Sequence, residues 1–314
     1  MVKKRYSAIR DVSRKPLIEL RATPAILDIL DFLQGRIVPT DYIKAWFGRP
    51  YYIKTLLGRM AKAHLIRIPD ELKMHENVRY RPRAWALAPL GQRMLLDRGR
   101  LRALEQLGSS SARHDYLAGV VQFSFDIAER QIPNLKKRTL ADILAHPNCP
   151  DPRATSVIAD PPIRPDAPLF GYEYAGPDGF KRYFYLHGFE ADRSTENLTG
   201  YGRQTLEQKL DRYARYLKGM YRARYGISNC ASAWIFVSDG RARDFLDLVA
   251  KKTPHLADKI LVKVVPDFLH FEKFPPATAW ALTEDWRTCN GALNILDILK
   301  GDRSDRRSET AKAA

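Results

Sequence analysis

Cysteine is scarce in this chain, and what there is does not cluster. Cys149, Cys230 and Cys289 lie far apart, with no Cys-x-x-Cys among them. That spacing excludes a disulfide framework and a zinc ribbon, and it fits a reducing cytoplasm. Nowhere does an apolar run reach the roughly 18 residues that a spanning helix needs, so no transmembrane segment is expected. The opening MVKKRYSAIRDVSRK is basic but has no apolar stretch behind it, unlike a secretory signal. A Gly-x-x-x-x-Gly-Lys-Ser/Thr loop is absent, which argues against P-loop ATP hydrolysis. His-x-His is absent as well, and the seven histidines are scattered. The paired metal-binding histidines of a rolling-circle relaxase therefore have no counterpart, and Cys–His or Ser–His catalysis has no local support.

Acidic residues are also in short supply. Against 52 Lys and Arg stand 36 Asp and Glu, a net charge of +16 on 314 residues. Such a balance favours an anionic partner, either nucleic acid or an acidic membrane surface. The rest of the composition, 45% hydrophobic and 28% charged, is that of an ordinary soluble globular protein. The length allows two domains.

Residues 1–21 are basic and non-periodic, and 301–314 are polar, so both ends are expected to be flexible. Gly and Ser at 108–113 mark a linker between a unit at 22–107 and another at 114–300. In the first unit TPAILDILDFLQGR has an N-cap Thr23, Pro24 at the first helical position, and an apolar stripe. A second short helix, capped by Thr40, follows in VPTDYIKAWFG. A third, YYIKTLLGRMAKAHLI, buries Ile53, Leu56, Leu57 and Met60. Then come two strands, LIRIP and VRYRPRAWALAPLG, around a polar loop, and a helix over 91–107. Helix–helix–helix–strand–loop–strand is the order of a winged helix-turn-helix. In that motif the third helix meets double-stranded DNA, here through Arg49, Tyr51, Tyr52, Lys54 and Arg59. Lys44, Arg79, Arg81 and Arg83 suit phosphate contacts on or near the wing. The same charges could instead be a solvated face on a protein-contact module. Because they sit on this pattern rather than on an amphipathic anchor, membrane binding is not expected.

The second unit alternates. A helix at 113–132 leads into the strands PLFGYEY and RYFYLHGFEAD, joined by a Pro-Asp-Gly turn. A long helix over 203–226 follows, then strand ASAWIFVSD, helix RARDFLDLVAKKTP and strand KILVKVVPD. The order predicts an α/β layout with a mixed sheet between helices. In RYFYLHGFEAD strict alternation puts Phe184, Leu186, Gly188, Glu190 and Asp192 on one face. Glu190 and Asp192 would then lie about 7 Å apart. Asp166, placed at the start of the preceding strand, would meet them at one end of the sheet. Carboxylates that converge there repel unless a cation lies among them, and oxygen ligands suit Mg²⁺ or Mn²⁺. Leu206, Leu210, Tyr213, Leu217 and Met220 form the apolar stripe of the long helix. Lys209 falls some 60° from its middle, where it can lie over the margin of the sheet. The plainer reading pairs Glu190 and Asp192 with Arg193, Arg203 or Arg212, and leaves Asp166 capping a turn. Asp126 and Glu129 could add to a site, though a solvated helix face accounts for both.

Pro165-Asp166 followed by Glu190-Ala191-Asp192 resembles the PD-(D/E)XK nuclease motif. Asp192 stands where that motif has lysine, and Lys209 is a substitute from the next helix. Over roughly residues 22–240, the order of the winged helix, HDYLAGVVQF, RPDA, FEADRSTE and LEQKLDRYARY resembles the replication-relaxation family of bacterial plasmids and other mobile elements. That resemblance implies a restriction-endonuclease-like second domain and a role in plasmid replication and DNA relaxation. It also implies replication or conjugation proteins as partners, with a homodimer left open. Asp166, Glu190, Asp192 and Lys209 would be the catalytic residues, and the three carboxylates the metal ligands. Whether that domain nicks DNA or only binds DNA or a partner stays open. A transcriptional regulator with a dimerisation or effector domain is the alternative.

Overall fold

The computed structural model describes residues 18–73, 83–101, 112–158, 164–193, 197–199, 205–265 and 275–302. The chain divides into two compact units, Met1–Val120 and Val121–Ala314, so the dividing point falls beyond the linker expected at 108–113. Of that linker, and of the two terminal tails, 108–111, 1–17 and 303–314 lie outside the described residues. No helix among the described residues is long and apolar enough to cross a membrane.

In the first unit α1 (Pro24–Phe32) starts as its sequence predicts, with the Thr23 hydroxyl accepting the Ile26 N–H at 3.4 Å. It is followed by β1 (Val38–Pro39), α2 (Thr40–Phe47), α3 (Pro50–Lys62), β2 (Ile66–Arg67), α4 (Asp70–Lys73), β3 (Ala84–Leu87) and α5 (Pro89–Leu96). The strands form a three-stranded antiparallel sheet in the order β1-β3-β2. Ile53, Leu56, Leu57 and Met60 of α3 are all buried, as the helical spacing required. Thr40 does not cap α2. It is the first helical residue, and its hydroxyl instead donates to the Arg83 carbonyl at 2.9 Å and accepts the Trp85 indole N–H at 2.9 Å. The helix expected over 91–107 stops at Leu96, because the chain turns at Gly99 with φ of +64°. Residues 102–107 lie outside the described residues.

The second unit is mixed α and β. Its elements are α6 (Ala112–Gln131, which begins before the dividing point), β4 (Leu135–Arg138), α7 (Leu140–Leu144), β5 (Phe170–Ala175), β6 (Lys181–Asp192) and α8 (Leu206–Arg215). After a π-helical turn, Tyr216–Met220, come α9 (Tyr221–Tyr225), β7 (Ala231–Phe236), α10 (Asp239–Lys252), β8 (Ile260–Val264), α11 (Trp280–Thr283), β9 (Trp286–Thr288), β10 (Gly291–Leu293) and α12 (Ile295–Lys300). Seven strands make one sheet in the order β10-β9-β8-β7-β6-β5-β4. The β6-β7-β8 core is parallel and both flanks are antiparallel, the mixed sheet that the sequence implied. Short β4, β9 and β10 were not legible as strands. One face of the sheet carries α8, the π-helical turn, α9 and α10, whose Leu210, Tyr213, Leu217 and Phe245 pack with Trp234 and Phe236. On the other face Phe125 of α6 meets Phe170, Phe189 and Trp286 at ring separations of 5.0, 6.3 and 6.2 Å.

Strict alternation fails within β6. At Gly188, φ is +65° and the pairing with β7 slips by one residue between Leu186 and Phe189. A β-bulge of this kind reverses which face the following side chains occupy. Before it, Tyr185 and His187 face the α8 side; after it, Glu190 and Asp192 face that side too. Phe189 instead joins Phe125 on the opposite side. Glu190 and Asp192 do share a face, as expected, but they share it with Tyr185 and His187 rather than with Leu186 and Phe184. A Cβ at 188 would lie 2.1 Å from the Ala167 carbonyl oxygen. Gly188→Ala should therefore destabilise the protein by at least about 1–2 kcal/mol for the left-handed conformation alone, and further for the displaced 165–167 segment. Urea denaturation measures the loss, and an unchanged midpoint would contradict this account of the bulge.

Candidate functional site

The site stands where β6 ends and α8 and α10 begin. In open α/β sheets the carboxyl ends of parallel strands are where ligands gather. Glu190 projects from β6 toward α8 with only 4% of its surface exposed. A capping box at Thr205 and Gln208 fixes the start of α8. Lys209 and Tyr213 lie four residues apart on that helix and so project from one side of it. Both reach Glu190: the Lys209 ammonium donates to one carboxylate oxygen at 3.2 Å and the Tyr213 hydroxyl to the other at 2.6 Å. Lys209 at the edge of the apolar stripe thus does what its position suggested. Tyr213 is core, as its place in the stripe required, and its hydroxyl adds a polar role that hydrophobic spacing could not disclose. Met220, the last residue of the expected stripe, is 48% exposed, because the helix breaks at Gly219 with φ of +146°.

Asp166 lies four residues before β5 rather than at its start, yet it meets β6 as expected. Its backbone N–H donates to the Phe189 carbonyl at 3.0 Å, and its carboxylate accepts the Ala191 N–H at 2.7 Å. Burial pushes the Glu190 carboxyl up to about 7; the Lys209 charge opposes that shift and the neighbouring Asp166 charge reinforces it. Burial likewise holds the Tyr213 phenol well above its ordinary range.

Asp192 is engaged elsewhere. Its buried carboxylate forms an ion pair with Arg241 in the first turn of α10, a partner that the sequence did not single out. The expected meeting of Asp166, Glu190 and Asp192 at one cation is therefore reduced to the pair Asp166 and Glu190. Among the described residues no group of three His, Cys, Asp or Glu side chains is arranged to hold a metal ion. Lys209 pairs with Glu190 and Arg241 with Asp192, two cations that were not among the arginines expected for a salt-bridge network. Arg203 lies outside the described residues. Asp126 pairs with Lys137 across α6 and β4, while Glu129 is exposed. His187 is a buried structural histidine: Nε2 lies 3.0 Å from the Ser156 carbonyl, and burial drives its pKa down to about 3.

In the first unit Arg49, Tyr51, Tyr52, Lys54 and Arg59 are all exposed along the outer side of α3, Tyr51 at 88%. Arg49 precedes the helix in a left-handed conformation, φ +49°. Arg83 is exposed beside β3, Lys44 pairs with Asp41 at 2.8 Å, and Arg79 and Arg81 lie outside the described residues. Comparison with family models, with curated proteins and with solved structures finds no match.

Two measurements follow from this electrostatic arrangement. Glu190 holds its proton more tightly in the fold than in the unfolded chain, so its stabilising contribution is complete at acid pH and lost as pH rises through about 7. The melting temperature of Glu190→Gln relative to wild type should accordingly climb from about pH 5 to about pH 8; a flat difference would rule out the shift. Arg241→Ala should cost about 3–5 kcal/mol by removing the cation paired with the buried Asp192 carboxylate, and Asp192→Asn in the same chain should recover part of that loss in a denaturation curve.

Proposed function

We propose that this chain is a DNA-binding replication or relaxation factor of a bacterial mobile element. In this reading the first unit is a winged helix-turn-helix that holds duplex DNA. The second is a restriction-endonuclease-like unit with a site for Mg²⁺- or Mn²⁺-dependent nicking. The observation that carries the proposal is the buried Glu190 between Lys209 and Tyr213, with Asp166 held against the same strand. Two carboxylates and a lysine at the end of a β-hairpin are the chemical content of the PD-(D/E)XK motif, with the lysine supplied by the following helix.

The donor set fits a hard divalent cation. Asp166 and Glu190 offer carboxylate oxygens; burial is the main cause that raises the Glu190 pKa and the Asp166 charge adds to it, a cost that a cation would relieve. When bound, the cation would polarise a phosphate oxygen and activate a water. Tyr213 holds one Glu190 oxygen in place. Lys209, on the margin of the sheet, brings a positive charge to where charge on a phosphate would develop. Asp192, bound to Arg241, supports the end of β6 rather than serving as a ligand. On the first unit, exposed Arg49 and Lys54 suit base edges or phosphates, and Tyr51 and Tyr52 suit sugar and base surfaces.

A second reading draws on the same geometry. The Lys209 ammonium already neutralises Glu190 at 3.2 Å, which favours a nuclease-like unit that binds DNA or a partner without cutting. Supercoiled plasmid incubated with protein and Mg²⁺ or Mn²⁺ separates the two. Nicking to open circles by wild type, abolished in Asp166→Ala, Glu190→Ala and Lys209→Ala while DNA binding persists, is the result expected. Binding without nicking in wild type would leave only the second reading. Arg49→Ala with Lys54→Ala should weaken duplex binding by about 1–3 kcal/mol if either reads a base; unchanged fluorescence anisotropy would remove α3 from the interface.

A further inference from the structure

The helix that carries Lys209 has an outer face that the site does not use. Its inner residues Leu206, Leu210, Tyr213 and Leu217 are buried in the core. Arg215, Lys218 and Arg222 are exposed, and Arg212 is half-buried. From Arg212 to Arg224 the chain has five basic residues, and between Asp211 and Asp239 it has no acidic one. Arg212 and Arg215 are three residues apart on α8, an interval at which like charges on a helix repel; Lys218 follows in the π-helical turn and Arg222 in α9, beyond the break at Gly219. Among the described residues none of these four joins an ion pair; Arg222 donates only to the Ser228 carbonyl, at 3.2 Å. Arg224, half-buried, donates inward to the Val157 carbonyl at 2.8 Å.

Five basic residues against one neighbouring carboxylate, Asp211 a turn before Arg215, leave an excess of positive charge that a polyanion relieves. The identity of that polyanion follows from the opposite face of the helix. An amphipathic helix that binds a membrane lays its apolar side into the lipid, but here that side is fully committed to the protein core. What is left is a rail of exposed cations, interrupted at Gly219, which suits a phosphate backbone. The rail also starts within a turn of Lys209, on the same helix.

We propose that the outer face of α8, the π-helical turn and α9, through Arg215, Lys218 and Arg222, is a second DNA-binding surface that tracks phosphates toward the Asp166–Glu190 site. The proposal rests on the reading of the chain as a DNA-binding protein and adds an interface that α3 does not supply. It is tested on the full chain by fluorescence anisotropy with a labelled duplex over a salt series. The variant Arg215→Gln/Lys218→Gln/Arg222→Gln is compared with Arg49→Ala/Lys54→Ala. Each cation that meets a phosphate contributes about 1 to the slope of log affinity against log salt, so the triple variant should lose about 2–3 of that slope. Its melting temperature should be unchanged or higher, since repulsion is removed. A slope unchanged in the triple variant but reduced in the α3 variant would overturn this proposal and leave the winged-helix reading intact. A slope reduced in the triple variant alone would support this proposal and remove α3 instead. Phosphatidylserine vesicles serve as the control surface: vesicle binding lost in the triple variant, with DNA binding intact, would overturn the proposal in favour of a membrane.

Discussion

At Gly188 the backbone of β6 passes so close to the Ala167 carbonyl that no side chain fits between them. Most of what distinguishes the second unit follows from that contact. The left-handed turn at Gly188 inserts an extra residue, shifts the β6–β7 register, and sends Glu190 and Asp192 to the face covered by α8 and α10. The same approach brings the segment with Asp166 alongside Phe189 and Ala191. Without the bulge, uninterrupted alternation would have turned the two acidic residues of β6 toward α6, into the aromatic cluster of Phe125, Phe170 and Trp286.

Burying a carboxylate is unfavourable unless its oxygens find donors. Glu190 has one donor for each oxygen, and both come from α8. Asp192 has Arg241 from α10. Two of the helices that cover this face of the sheet are thus joined to β6 by polar contacts as well as by the apolar cluster. A charged contact of this kind adds little net stability compared with a hydrophobic one of the same size, but it penalises any other register of helix against strand.

The broad organisation was legible in the sequence because it rests on local rules. Thr23 and Pro24 marked a helix start, the α3 stripe marked its buried side, and Pro-Asp-Gly marked the hairpin. What escaped was non-local. Thr40 resembles an N-cap, and only β3 folding beside it shows that its hydroxyl serves Arg83 and Trp85 instead. The Gly188 bulge could not be told from an ordinary strand glycine, since its cause is a carbonyl about twenty residues earlier. Arg241 was one basic residue among many until β7 and α10 carried it to Asp192. Lys209 was found because its evidence was local: its angular position on a helix whose apolar stripe is unambiguous. The breakdown of that stripe at Met220 reflects Gly219, whose conformation no helical spacing encodes.

Two of the contacts that hold Asp166 are to main-chain groups: its amide meets the Phe189 carbonyl and its carboxylate the Ala191 amide. Every residue except proline can offer that amide at position 191, and any residue can offer the carbonyl at 189. These two contacts are therefore indifferent to the letters that flank Glu190. Mutational drift at 189 and 191 can proceed, within the limits of packing, without moving Asp166, whereas a change at 188 would move it at once. The tolerance of this corner to substitution is set by backbone shape, and its single point of fragility is a residue with no side chain.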